Sequence, residues 1–226
     1  MTKLRFRYQT IEFGRTDIHL CTLRNTQEFL DPDGVAESLG ISSASWPLFG
    51  VIWPSSLVLA HFIADHDIGA RRVLEVGCGM ALSSLLLNKR EVDVTATDYH
   101  PEAEKFLQRN TSLNGDSPIA FELANWSGSG DTLGLFDLII GSDLLYEDEH
   151  VELLAGFIQK HAEADCEVIV VDPGRGRKSR LNARMKEFGF HCELLKPQAT
   201  PYLEQEFKGH ILRYSRGGRK RGQSPF

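Results

Sequence analysis

The chain has 226 residues, 42% of them hydrophobic and 25% charged, with a formal net charge of −6. That is the length of one domain with a modest extension, and the composition of an ordinary folded protein. The acidic balance makes most of the chain a poor electrostatic partner for nucleic acid, no apolar run near ~18 residues stands out as a membrane span, and the scattered Cys21, Cys78, Cys166 and Cys192 fit neither a zinc cluster nor a disulfide framework.

The N-terminal stretch "MTKLRFRYQTIEFG" lacks the apolar core of a secretory signal, so a cytoplasmic location is expected. The segment "LRFRYQTIEFGRTDIHLCTL" alternates apolar and polar residues around "GRTD", which predicts an antiparallel hairpin. A turn-rich stretch, "DPDGVAESLGISSAS", leads to "FGVIWPSSLVLAHFIADHD", where Pro54 suits the first turn of a helix. Leu57, Ala60, His61 and Ala64 fall on one face of that helix.

From residue 71 strands and helices alternate. Strand-like "RRVLEV", "VDVTATD", "IAFELA", "LFDLIIGSD" and "CEVIVVD" are interleaved with helical "MALSSLLLNKR", "PEAEKFLQRNTSLN" and "HVELLAGFIQKHA". The helix "RKSRLNARMKEF" is closed by Gly189, and "FHCELL" and "GHILRYS" follow as strands with no helix between them. The fold class is therefore α/β: a Rossmann-like, seven-stranded, mostly parallel sheet with helices on both faces. One of its last two strands is expected to be antiparallel, and the N-terminal hairpin stands apart.

Two features mark a nucleoside site. "VLEVGCGMALSS" leaves a strand and opens a helix, and Gly77 and Gly79 allow a tight turn with close approach to a ligand. Asp98 ends the next strand, where a carboxylate can accept bonds from both hydroxyls of a ribose. The dinucleotide fingerprint G-x-G-x-x-G is not met, because its last position is Leu82.

The turn Glu75-x-Gly77-x-Gly79-x-Ala81 resembles the first motif of class I S-adenosylmethionine-dependent methyltransferases, with alanine for the last glycine. "GVIWP", "LANW", "SDLLY" and "VDPGR" further resemble one branch, the methyltransferase-16 group of protein lysine methyltransferases, including its bacterial and mitochondrial electron-transfer-flavoprotein type. The resemblance covers roughly residues 45–175. It implies S-adenosyl-L-methionine as cofactor, held by Trp53, Glu75, Gly77, Cys78, Gly79, Asp98, Asn125, Trp126 and Ser142. It also implies that Asp143 and Tyr146, the D-x-x-Y pair, face the point of transfer. The expected division is 1–45 hairpin and linker, 46–215 cofactor-binding methyltransferase domain, and 216–226 a basic flexible tail.

Methyl transfer needs an in-line nucleophile with a free lone pair. A lysine of pKa ~10.4 costs about 4.6 kcal/mol to neutralise at pH 7. Asp143 is therefore read as positioning the amine and Tyr146 as walling its channel. Glu147, Asp148 and Glu149 either draw a cationic lysine or form the acidic first turn of a helix. Arg175 reads as a solvated loop arginine or a contact for an acidic substrate surface, and His100 as a helix-start residue.

A lysine-bearing protein substrate and a monomer are expected, with no metal, no membrane and no nucleic acid beyond a weak contact through the tail's Arg216, Arg219, Lys220 and Arg221. A small-molecule amine or protein histidine as acceptor, a dinucleotide oxidoreductase, and a non-catalytic module remain open alternatives.

Overall fold

Residues 138–140 of the central strand send side chains alternately to two sides, and both sides are apolar. Leu138 and Ile140 join one buried cluster and Ile139 another. A strand of that kind must be covered on both faces, and the computed structural model, which describes residues 4–128, 132–197 and 199–217, shows that it is.

The hairpin comprises β1 (Phe6–Phe13) and β2 (Thr16–Leu23). The main sheet contains β3 (Val73–Val76), β4 (Val94–Asp98), β5 (Ala120–Leu123), β6 (Phe136–Ser142), β7 (Ala162–Asp172), β8 (His191–Leu195) and β9 (His210–Arg216). Their order is β5-β4-β3-β6-β7-β9-β8. All pairings are parallel except those of β9, which lies antiparallel between β7 and β8. The expected seven-stranded sheet with one antiparallel strand and a separate hairpin is thus observed.

The helices are α1 (Val35–Ser38), α2 (Pro54–Ala64), α3 (Leu82–Lys89), α4 (Ala103–Leu113), α5 (Asp148–His161) and α6 (Lys178–Glu187). On one face Val151, Leu154 and Ile158 of α5 and Leu181 and Met185 of α6 pack on Leu74, Ile139, Val168 and Val170. On the other, Val58, Leu59 and Ile63 of α2 pack on Leu138, Ile140, Ile169 and Val171.

The expected apolar face of α2 differs from the one that meets the sheet. Leu57 and Ala64 are only partly buried and pack with Ala60 toward Ile18 and Leu20 of the hairpin. The helix is apolar on two sides because it lies between the sheet and the hairpin. A 19-residue stretch, Trp46–Ala64, is in fact apolar enough to cross a membrane by length and composition, contrary to expectation. It is not one helix: Val51 and Trp53 are extended, so α2 is 11 residues long, or roughly 16 Å, half a hydrocarbon core of about 30 Å.

Asparagines tie the hairpin to the domain. Asn110 Oδ1 accepts from the Cys21 N–H (2.7 Å), and Asn114 bonds both N–H and C=O of His19 at 2.8 Å. Asn110 on α4 and Asn114 at its C-cap, spaced i, i+4, take up polar groups on the edge of β2 that would otherwise be unpaired.

β7 begins at Ala162, directly after α5 and four residues earlier than the sequence pattern predicts, because Ala162 pairs with Phe136 across a bulge. Arg216, expected to open the tail, ends β9, where its guanidinium donates to the carbonyls of Ala162 and Glu163 (3.0 and 2.9 Å). Arg219, Lys220 and Arg221 of the expected tail lie outside the described residues.

Candidate active site

The parallel strands β3, β4, β6 and β7 deliver their carboxyl ends to one edge of the sheet, where ligands of open α/β folds bind. The turn after β3 is left-handed at three alternate residues: Gly77 (φ +60°), Gly79 (φ +52°) and Ala81 (φ +54°). Ala81 thus takes at some cost the conformation that the missing third glycine would take freely. Its N–H bonds the Cys78 carbonyl at 2.7 Å, and α3 starts at the next residue.

Asp98 locks this turn from β4. Its Oδ2 accepts from the Gly79 N–H (2.7 Å) and its Oδ1 from the His100 N–H (2.8 Å). Burial raises its pKa, opposed by these backbone donors. Each oxygen keeps a second lone pair for a ligand hydroxyl. His100 serves the start of the next helical segment, as expected: its Nδ1 accepts from the Glu102 N–H (3.1 Å) and its carbonyl from that of Ala103. Its ring lies on Phe49 (centroids 3.8 Å apart), and burial lowers its pKa to about 4.

Glu75 is 3% exposed and turned toward α3, where Oε2 accepts from the Ser84 N–H (2.9 Å) and hydroxyl (2.5 Å). Burial pushes its carboxyl up to about 7. Cys78 sends its thiol into the core beside Leu82 and Leu85, and burial raises its pKa well above the ordinary value. Its backbone, not its sulfur, belongs to the turn.

The Asp-Leu-Leu-Tyr corner after β6 is seated on that turn. Leu144 occupies two glycine recesses: a Cβ on Gly77 would meet Leu144 Cδ2 at 2.6 Å, and one on Gly141 would meet Cδ1 at 2.6 Å. Trp126 closes from the β5 side, 3.9 Å from the same position over Gly77. Asp143 is left-handed (φ +55°), and its N–H bonds the Val171 carbonyl of β7 at 2.8 Å. Its carboxylate is 5% exposed and forked on Arg175, Oδ1 to Nε at 2.5 Å and Oδ2 to Nη2 at 2.9 Å. The Arg175 guanidinium lies over the Tyr146 ring, 4.4 Å from its centroid. Tyr146 is 42% exposed, and its phenol is raised to about 12, first by burial and then by the Asp143 charge.

Arg175 is therefore neither a solvated loop arginine nor free to meet an acidic substrate. It reaches Asp143 because Ser142 and Val171 are partners in parallel strands, so residues 143 and 172–175 leave the sheet side by side. Gly174 (φ +104°) makes the turn that brings it back.

The remaining expected site residues are less tightly joined. Trp53 Nε1 donates to the Leu48 carbonyl (3.0 Å) at the entry to α2. Asn125 is exposed and folds onto Ser127, accepting from its N–H and hydroxyl (3.0 and 2.8 Å). Ser142 is half-buried at the end of β6. Of the three acids, Asp148 bonds Arg177 at 2.7 Å, and Asp148 and Glu149 stand in the first turn of α5, as the helix-start alternative has it.

This edge fits a methyl-donor nucleoside: a recessed glycine turn, a strand-end carboxylate against it, an aromatic cover, and a walled corner next door. The fold is the one shared by Rossmann-like methyltransferases. The chain belongs to the lysine methyltransferase family, whose model matches residues 42–187, well over half of it, and S-adenosylmethionine is the cofactor of such a site.

The chain is 27% identical over 139 residues to protein N-lysine methyltransferase METTL21A of zebrafish (Danio rerio), covering 57% of this chain and 63% of that protein. It is 26% identical over 133 residues to the rat (Rattus norvegicus) electron transfer flavoprotein beta subunit lysine methyltransferase, covering 57% and 51%. It is also 32% identical over 108 residues to the histone-arginine methyltransferase METTL23 of Xenopus laevis, covering 45% and 46%. The match thus spans about half to two-thirds of these relatives' length. Among solved structures, a ribosomal protein L11 methylase from Lactobacillus delbrueckii superposes with a TM-score of 0.59 at 22% identity, covering 93% of this chain and 99% of that one. That likeness concerns the fold.

Proposed function

We propose that the chain is an S-adenosylmethionine-dependent methyltransferase whose acceptor is a lysine ε-amine of another protein. Bound S-adenosylmethionine supplies a methyl group activated by its sulfonium. The observation that carries this reading is the seating of Leu144 in the recesses of Gly77 and Gly141, which fixes the Asp143–Tyr146 corner against the cofactor turn. Asp98 accepts the ribose, Trp126 covers the nucleoside, and the turn of residues 77–79 offers backbone to the rest. Trp53, Ser142, Glu75 at the base of the turn and, through its backbone, Asn125 complete the proposed cofactor site. Tyr146, open on one side, forms the wall along which an alkyl amine enters.

We further propose that the enzyme works as a monomer in the cytoplasm, apart from membranes and, save for a weak contact through its basic tail, from nucleic acid. The net charge of −6 supports the last of these alone.

Mass spectrometry of cells with and without the gene tests the reading: a protein lysine should lose methylation when the gene is absent. Acid hydrolysis of protein labelled with tritiated S-adenosylmethionine should give methyl-lysine. Label recovered as methyl-arginine or methyl-histidine, or only in small molecules, overturns the lysine assignment.

A further inference from the structure

The acceptor corner holds a compensated carboxylate. Asp143 is the acid nearest the expected path of the amine, yet both its oxygens are engaged by one guanidinium at 2.5 and 2.9 Å. The Asp143 side chain is 6% exposed and that of Arg175 35% exposed, so the pair is shielded on the acid's side and open on the arginine's. Tyr146 holds the guanidinium plane in place from the other side at 4.4 Å. The fork is bidentate, the most geometrically restrictive form of this ion pair.

A bare carboxylate there would work against the reaction. At 4 Å and an effective dielectric constant of about 20, one negative charge favours the protonated amine by roughly a thousandfold. Only the neutral amine has the lone pair that attacks. We propose that Arg175 is a positioning residue that neutralises Asp143, so that the entering lysine meets a compensated Asp143 rather than a bare carboxylate and reacts as a free amine. The inference rests on the lysine reading above. The lysine nitrogen forms the new bond to carbon, the carbon–sulfur bond breaks with its electron pair left on sulfur, and the amine's surplus proton passes to water.

Other charged groups surround this pair, and the buried Asp172 places a second negative charge near Arg175. Asp172 accepts from the Arg175 backbone N–H at 3.4 Å and pairs with His210, the first residue of β9; Lys178 stands 3.2 Å from that histidine. Arg177 is paired with Asp148. Asp98 acts on Tyr146 from the cofactor side. The His150 ring meets Tyr146 edge-on at 6.2 Å, and the Tyr146 phenol, raised to about 12, stays neutral throughout the working range.

The test uses the full chain and, as acceptor, the protein that takes up tritium in a lysate of gene-deleted cells, purified and held at saturation. The pH profile of kcat then reports the bound amine. Arg175→Ala should lose roughly tenfold or more at pH 7 and recover most of that loss by about pH 9.5. The double variant Asp143→Asn/Arg175→Gln, neutral by another route, should return the profile to the wild-type position whatever its absolute rate. Thermal shift with S-adenosylhomocysteine confirms folding and cofactor binding in each variant.

An Arg175→Ala loss equal at every pH, a gain in rate, or a double variant whose profile stays displaced overturns the proposal. A wild-type enzyme that labels no protein lysine defeats the functional reading first, and is seen without any variant.

Discussion

Asp143 and Arg175 are 32 residues apart in sequence and joined by two hydrogen bonds across the carboxyl ends of neighbouring strands. The contact links the corner of β6 to the loop after β7, so the acceptor side of the site is built from two strands rather than one. Asp143 is also left-handed at φ +55°, a conformation aspartate tolerates better than alanine does.

Replacing Asp143 by Ala removes the acid, leaves Arg175 without its partner and adds backbone strain. Methyl transfer should fall by roughly a hundredfold or more, from lost positioning of the acceptor. Affinity for S-adenosylhomocysteine, measured by calorimetry, should change little, because the cofactor turn is held by Asp98. Equal loss of both would show that the corner supports the cofactor instead.

Gly77→Ala meets two obstacles. Its φ is +60°, and its Cβ would fall 2.6 Å from Leu144 Cδ2, so the leucine would have to shift. Strain and overpacking together should cost about 2–4 kcal/mol of stability. Denaturant unfolding measures this, and S-adenosylhomocysteine affinity should fall with it.

Asp98→Asn keeps the shape but replaces one acceptor oxygen with a donor facing the Gly79 or His100 N–H. A charge-assisted hydrogen bond is worth about 1.5–3 kcal/mol. Cofactor affinity should therefore fall roughly tenfold to a hundredfold by titration calorimetry, before any effect on the acceptor.

Glu75 links stability to pH. Its folded value is raised from 4.5 to about 7, chiefly by burial. The fold therefore favours the protonated acid. That contribution is complete below about pH 4.5 and lost as pH rises through about 7. Glu75→Gln, permanently neutral, should gain stability relative to wild type across this window, by up to about 3 kcal/mol above it. Unfolding curves of the ligand-free protein at pH 5 and 8 check the sign.

Glu167 shows the opposite linkage. Its carboxylate meets Arg71 at 2.6 Å, Arg213 at 2.5 Å and His66 at 2.9 Å, with 13% of its side chain exposed. Burial alone would raise its pKa, but these three partners together hold it well below the carboxylate range. Its stabilisation is complete above the unfolded value and is lost as pH falls through the folded one. Glu167→Gln should cost about 3 kcal/mol at neutral pH, and progressively less in acid melts.

Much of this was legible in the sequence. The alternation of strands and helices after residue 71 follows from apolar periodicity, and the turn at Gly77 and Gly79 from glycine's access to positive φ. What the pattern could not carry was tertiary. Arg175 looks like any loop arginine until β6 and β7 are known to be neighbours. Leu144 looks like a core leucine until two glycines are found beneath it. The periodicity of α2 shows an apolar face but not that a second layer, the hairpin, covers another side. Ala162 reads as helix because its strand partner, Phe136, lies beyond any local window. Asn125 was placed by resemblance, whereas its own side chain is spent on a local turn with Ser127.

The insertion of β9 between β7 and β8 gives the sheet an assembly order. Strands bearing the cofactor turn leave the ribosome well before residues 210–216, and they can pair among themselves. β8, made earlier than β9, packs on α6 but has no strand to pair with until that later strand arrives. A growing chain would thus hold a nearly finished nucleotide edge beside an unsealed flank, and a stop codon just before His210 would leave both β7 and β8 as open edges ready to recruit strands from other molecules.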